Sequence, residues 1–89
     1  MPPSKRKFTA ASLIPGQTYR VTSIFEDYDR ITHPVGEQWR FVEKTFLPYE
    51  DGLTLVVEMN GQSTSIRLQW RDEAQAEIID MFCDYVEER

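Results

Sequence analysis

The sequence predicts an α+β fold in which a four-stranded antiparallel meander, able to curl into an SH3-like partial barrel, is covered by a C-terminal amphipathic helix. Two observations predict this fold. Alternating apolar and polar residues recur in successive segments, and a helical spacing of apolar residues follows them. The 89 residues, of which 40% are hydrophobic, suffice for one core. We expect a single domain over residues 13–89, preceded by a flexible basic tail over residues 1–12.

The first two strands are predicted over residues 18–25 and 38–44. The first segment is rich in β-branched and aromatic residues, and in the second Trp39 and Phe41 share one face, as core residues of a sheet do. Residues 26–37 contain Asp, Pro and Gly at turn positions. This stretch is therefore predicted to be a polar connection between the strands.

The next two strands are predicted to form a hairpin. Residues 53–59 alternate clearly, and a second alternating run covers residues 63–70. Asn60 and Gly61 lie between the two runs, and this pair favours a type I′ turn because both residues accept a positive φ. The apolar alternation then fixes the register of the pair.

A C-terminal helix is predicted from the N-cap Asp72 onward. Its apolar side is predicted to pack on the sheet, with Cys83 as a small half-buried residue. The opposite side is acidic, with carboxylates four residues apart and no lysine between them to offset the repulsion. These carboxylates are Glu73, Glu77, Asp80, Asp84, Glu87 and Glu88. The acidic surface is interpreted as a solvated face or as a docking surface for a basic partner.

Composition and charge exclude several classes of function. The net charge is −5 although Lys5, Arg6 and Lys7 cluster in the tail, so binding of nucleic acid by the folded body is disfavoured. No apolar run is long enough to cross a membrane. Cys83 is the single cysteine, which favours a reducing compartment and a cytoplasmic location. A monomer without a cofactor is expected.

The connection over residues 26–39 contains side chains that can bind cations. Asp27, Asp29, His33 and Glu37 have suitable side-chain types, but their spacing matches neither an EF-hand nor a zinc finger. We expect the two aspartates to form Asx turns and His33, which precedes Pro34, to lie on the surface. No nucleophile motif accompanies His33, so no enzyme is predicted. The alternative hypothesis is a weak metal or small-ligand site in this loop.

The favoured hypothesis is a noncatalytic protein-interaction domain whose acidic surface docks a basic protein partner. Tyrosines flanked by carboxylates and the acidic side of the helix supply the candidate surfaces. The candidate partner-binding residues are Tyr28, Tyr49, Glu50, Asp51, Glu77, Asp80, Asp84 and Glu88.

Three segments carry a resemblance to a known family. "PGQTYRV", "GEQWRF" and "LPYEDGLTL" resemble the pattern of a small bacterial single-domain family of unknown function. The resemblance covers residues Leu13 to Trp70. It implies bacterial origin and a fold that contains both helix and strand, and it assigns no functional residue.

Overall fold

The computed structural model describes residues 8–47 and 52–89, which form a five-stranded antiparallel sheet and a separate two-stranded hairpin, with one α-helix. The strands are β1 (Thr18–Val21), β2 (Phe25–Glu26), β3 (Thr32–His33), β4 (Gln38–Leu47), β5 (Gly52–Met59), β6 (Gln62–Gln69) and β7 (Val86–Glu88). The α-helix is α1 (Glu73–Asp80), and short 3-10 helices cover Ala10–Ser12 and Phe82–Asp84.

The predicted meander is present in the larger sheet, whose strand order is β6-β5-β4-β1-β7. β1, β4, β5 and β6 follow one another as antiparallel neighbours. Asn60 and Gly61 have φ values of 54° and 79°, as the predicted hairpin turn requires. Trp39 and Phe41 lie in the core, as predicted.

The predicted count of four strands is wrong, because β7 adds a fifth strand at the edge of the sheet beside β1. In the structure the C-terminal helix ends at Asp80, earlier than predicted. Met81 leaves the helical conformation with φ −111° and ψ 31°. A longer helix would place Asp80 and Asp84 one turn apart with like charges. In the strand, Val86 instead pairs with Val21 and is fully buried.

The first predicted strand also ends early, at Val21. The chain then leaves the sheet and forms the β2–β3 hairpin, in which Phe25 pairs with His33. The polar connection predicted over residues 26–37 therefore contains a short pair of strands. β6 and β7 form the two edges of the larger sheet, and its closure into an SH3-like partial barrel stays a prediction.

The core fills the space between the sheet and α1. Its largest fully buried side chains come from β1, β4, β5, β6, α1, the second 3-10 helix and β7: Trp39, Tyr19, Phe41, Phe82, Leu53, Leu55, Ile66, Leu68, Ile79, Val21, Val57 and Val86. Ala10 and Leu13, on either side of the predicted domain boundary, both belong to this core. The basic triplet of the predicted tail lies outside the described residues. None of the helices in the described ranges is long and apolar enough to cross a membrane.

The hairpin turn provides a matched test of backbone conformation. An added Cβ would meet nothing within 4 Å at either Gly61 or Gly52, but only Gly61 has a positive φ, of 79°. We expect Gly61→Ala to lower the free energy of unfolding by about 1 kcal/mol, because a Cβ disfavours this backbone region. Gly52→Ala should leave it unchanged or raise it slightly. Urea denaturation measures both, and equal losses would contradict a left-handed residue at position 61.

Candidate functional site

His33 lies between two carboxylates at the base of the β2–β3 hairpin. Its Nε2 is 2.8 Å from Oδ2 of Asp27, and its Nδ1 is 2.6 Å from Oε2 of Glu37. The side chains of His33 and Asp27 are almost fully buried, with 4% and 1% exposed, and that of Glu37 is 16% exposed. Both ring nitrogens are therefore engaged inside the protein.

The geometry fixes the number of protons that the cluster must hold. An ionised carboxylate only accepts hydrogen bonds, whereas a neutral imidazole has one donor nitrogen and one acceptor nitrogen. Both contacts can be hydrogen bonds at once only if the ring carries two protons or one carboxyl is protonated. With two ring protons, the cluster of Asp27, His33 and Glu37 is a charge-assisted chain with a net charge of about −1.

The local backbone holds Asp27 in place. Its Oδ1 accepts hydrogen bonds from the backbone N–H groups of Asp29, at 2.9 Å, and Ile31, at 3.0 Å. The Asx turn predicted at Asp27 is thus confirmed. Phe25, the neighbour of His33 across the hairpin, stacks on the imidazole with ring centroids 4.7 Å apart. The ring is fixed by an aromatic face and by two carboxylates.

The prediction that His33 lies on the surface is wrong. Pro34 does keep its neighbour extended, but this extended residue belongs to β3 and its side chain points inward. Since both nitrogens already have partners, the imidazole offers no lone pair to a nucleophile or metal ion. Among residues 8–47 and 52–89, no group of three or more His, Cys, Asp and Glu side chains could hold a metal ion. Metal or small-ligand binding by this loop stays a prediction.

Asp29 and Tyr28 contact the neighbouring strand β6. Asp29 forms an ion pair with Arg67, in which Oδ1 of Asp29 lies 3.1 Å from Nη1 of Arg67. The guanidinium of Arg67 also lies over the Tyr28 ring, 5.8 Å from its centroid. The backbone N–H of Tyr28 donates to the carbonyl of Arg67 at 2.7 Å. Tyr28 is half exposed, and its backbone bond attaches the hairpin tip to β6.

The acidic face predicted for one long helix is divided among three elements. Glu77 and Asp80 lie exposed on α1, whereas Asp84 belongs to the following 3-10 helix. Glu88 is half buried in β7, where it pairs with Tyr19. Asp80 and Asp84 line a common concave surface. Tyr49, Glu50 and Asp51 lie outside the described residues.

That concave surface, here named the α1-end groove, has a volume of about 470 Å³ and a mainly apolar lining. It is formed where the segment before the first 3-10 helix meets the end of α1. The backbone N–H of Cys83 donates to the carbonyl of Phe8 at 3.3 Å and joins the two sides. The lining residues are Phe8, Thr9, Ser12, Asp80, Met81, Cys83 and Asp84.

Sequence reasoning found two of the groove residues, Asp80 and Asp84, and missed the apolar ones. Phe8 falls in the predicted tail, although an aromatic residue there is a signal for packing rather than for solvation. Met81 lies just after the end of α1 and is 46% exposed. The groove depends on the early end of the helix, which the apolar spacing does not reveal.

The fold and these surfaces define a small α+β domain built on an antiparallel sheet. The chain matches the model of the family described as Domain of unknown function (DUF3601) over residues 5–88, and it belongs to that family. The resemblance stated from the sequence is therefore confirmed.

One solved structure shows the same fold. It is an integron cassette protein from the mobile metagenome of Vibrio cholerae, with 37% sequence identity and a TM-score of 0.83. The match covers 88% of this chain and 87% of that chain. A comparison with curated proteins finds no match.

The buried cluster predicts a large difference between two aspartates of one loop. Asp27→Ala removes both the oxygen that accepts from two backbone N–H groups and the carboxylate that faces His33, so buried polar groups lose their partners. We expect the free energy of unfolding to fall by roughly 3–5 kcal/mol. The control Asp29→Ala removes only the half-exposed pair with Arg67 and should cost less than about 1 kcal/mol. Urea denaturation measures both, and a similar small loss for both variants would show that the buried cluster contributes little.

Proposed function

We propose that this chain is a noncatalytic protein-interaction domain that binds a basic, partly apolar segment of a partner protein in the α1-end groove. The observation that carries the proposal is the combination of an apolar lining with two carboxylates, Asp80 and Asp84, in one concave surface. Apolar contact would supply affinity, and the carboxylates would select lysine or arginine.

The groove offers apolar surface that the fold itself does not cover. Met81 is a large hydrophobic residue with nearly half of its surface exposed, and Phe8 packs only partly on the core. A methionine adapts its shape to different side chains, which suits a surface that receives a flexible segment. Cys83, also in the lining, is buried and acts as a small apolar contact.

The surrounding charge favours a basic partner. α1 contains Glu73, Glu77 and Asp80 and no basic residue. Glu77 lies three residues before Asp80, so their side chains are neighbours on the helix surface and extend the acidic rim. The net charge of −5 would also attract a basic segment at long range. The same charge disfavours nucleic acid as a partner of the folded body.

Three finer expectations belong to this proposal. The similar protein from Vibrio cholerae supports bacterial origin. The single cysteine supports a cytoplasmic location. A β-bulge in β4 between Phe41 and Glu43 supports an SH3-like curvature of the sheet, because bulges bend strands at such corners.

The groove can be tested with a synthetic peptide of alternating lysine and leucine, labelled for fluorescence anisotropy. We expect Asp80→Asn combined with Asp84→Asn to weaken binding about fivefold to thirtyfold, which corresponds to roughly 1–2 kcal/mol for two partly exposed ion pairs. Met81→Ser should weaken it further by removing apolar contact.

The matched control is Glu26→Gln combined with Glu43→Gln, which removes the same charge from exposed residues outside the groove. This control should retain wild-type affinity apart from a small long-range effect. If both double variants lose affinity equally, the attraction belongs to the net charge of the domain, and the groove is not the docking site.

A further inference from the structure

Strand β6 is the open edge of the five-stranded sheet. β5 pairs with it on one side, and in the described chain the other side receives only the bond from Tyr28 N–H to the carbonyl of Arg67. That bond shows that the backbone groups of Arg67 point away from β5. Because backbone direction alternates along a strand, Ser63 and Ser65 also direct their N–H and C=O groups outward. The described residues provide no hydrogen-bond partner for these four groups.

The two edges of the sheet differ in their protection against further pairing. β7 is three residues long and carries Glu87 and Glu88, and both shortness and charge oppose the addition of a strand. β6 is eight residues long, and its first half, Gln62–Ser65, contains no charge and no proline and is exposed. Such a neutral, extended edge is a template for another strand.

We propose that the β6 edge pairs antiparallel with β6 of a second copy of this chain, across a two-fold axis at Thr64. In this register Ser63 lies opposite Ser65 of the second copy, and each pair exchanges two hydrogen bonds. Four bonds form in total, and the two five-stranded sheets join into one ten-stranded sheet.

The occupant is a second copy because this short strip is complementary to itself. A two-fold axis requires the same patch on both subunits. The exposed strip Gln62–Ser65 meets this requirement because it contains no charge and therefore sets no like charges against each other. Thr64 then faces its own counterpart, and Thr–Thr pairs are favourable across antiparallel strands. The hydrogen bond from Tyr28 N–H to the carbonyl of Arg67 disfavours a register centred on Ser65, because that register would need the same carbonyl.

Charge permits this contact but keeps it weak. Each chain carries a net charge of −5, so two copies repel each other at long range, and physiological salt screens this beyond about 8 Å. No charged residues lie opposite each other in the paired strip, since Arg67 falls opposite Gly61. The short contact predicts a dissociation constant that is roughly micromolar or weaker. The monomer expected from the sequence would then be the form at low concentration.

Sedimentation equilibrium of the full chain, from about 1 µM to 1 mM, tests the association. The wild type should dimerise within this range. Ser65→Pro removes an outward N–H without removing a bond to β5, and we expect it to weaken the dimer at least tenfold. Ser65→Ala keeps the backbone donor and should dimerise like the wild type. Circular dichroism and thermal unfolding confirm that each variant remains folded.

Disulfide formation tests the register by a second route. Thr64→Cys places a thiol on the two-fold axis, where the Cα atoms of a non-hydrogen-bonded pair lie about 4.5 Å apart, within disulfide range. Ser63→Cys lies opposite residue 65 instead and should cross-link severalfold less under the same oxidant. A wild type that stays monomeric to 1 mM, or a Ser63→Cys yield equal to that of Thr64→Cys, would overturn the proposal. Peptide binding in the α1-end groove would be unaffected, because no residue is shared by the two surfaces.

Discussion

The hydrogen bond of His33 to Asp27 closes the β2–β3 hairpin, and its bond to Glu37 joins the hairpin to the main sheet, because the carbonyl of Glu37 accepts from the N–H of Val21 in β1. Other contacts depend on this position. Once the hairpin is fixed, the carbonyl of Glu26 receives a hydrogen bond from Nε2 of Gln75 on α1, at 2.8 Å. The tip of the hairpin contacts β6 through the backbone N–H of Tyr28. The excursion between β1 and β4 thus connects the helix with the far edge of the sheet.

The cluster is better suited to positioning the hairpin than to raising stability. Desolvation of three ionisable groups offsets most of their attraction, so an apolar replacement of the whole cluster could be equally stable. Removal of a single side chain of the cluster lowers the free energy of unfolding strongly, because the other two remain buried without their partner. A two-stranded hairpin is marginal by itself, and a polar cluster that is satisfied in only one arrangement would give it a defined register. The hydrogen bond from Tyr28 to the carbonyl of Arg67 depends on that register.

Local rules predicted much of this fold from the sequence. The alternation in β5 and β6, the Asn60–Gly61 turn and the N-cap Asp72 depend on neighbouring residues, and all three are present; Oδ1 of Asp72 accepts from Ala74 and Gln75. The features that sequence reasoning missed depend on distant residues. Val86 becomes a strand residue because β1 offers an unpaired edge, and this edge is not visible in the apolar spacing around Val86.

The same difference between neighbouring and distant residues explains which residues of the candidate sites were predicted. His33 looked exposed because Asp, Pro and Gly surround it in the sequence, yet its burial depends on Phe25 and Asp27 across a hairpin that the turn residues do not define. Asp80 and Asp84 were found from their charge, whereas their apolar neighbour Phe8 comes from 72 residues before Asp80 in the chain. Charge and local turns can be read residue by residue, but a groove requires knowledge of which segments meet.

The two proposed surfaces would reinforce each other, since pairing at β6 uses none of the residues that line the α1-end groove. A dimer would present two grooves, and a partner with two basic segments could occupy both. The second binding event would then be intramolecular, which raises the overall affinity without any new contact, provided that the segments can span the two grooves. Because the edge contact is weak, such a partner would also stabilise the dimer by mass action. Partner binding and self-association would therefore be coupled, although each depends on a separate part of the fold.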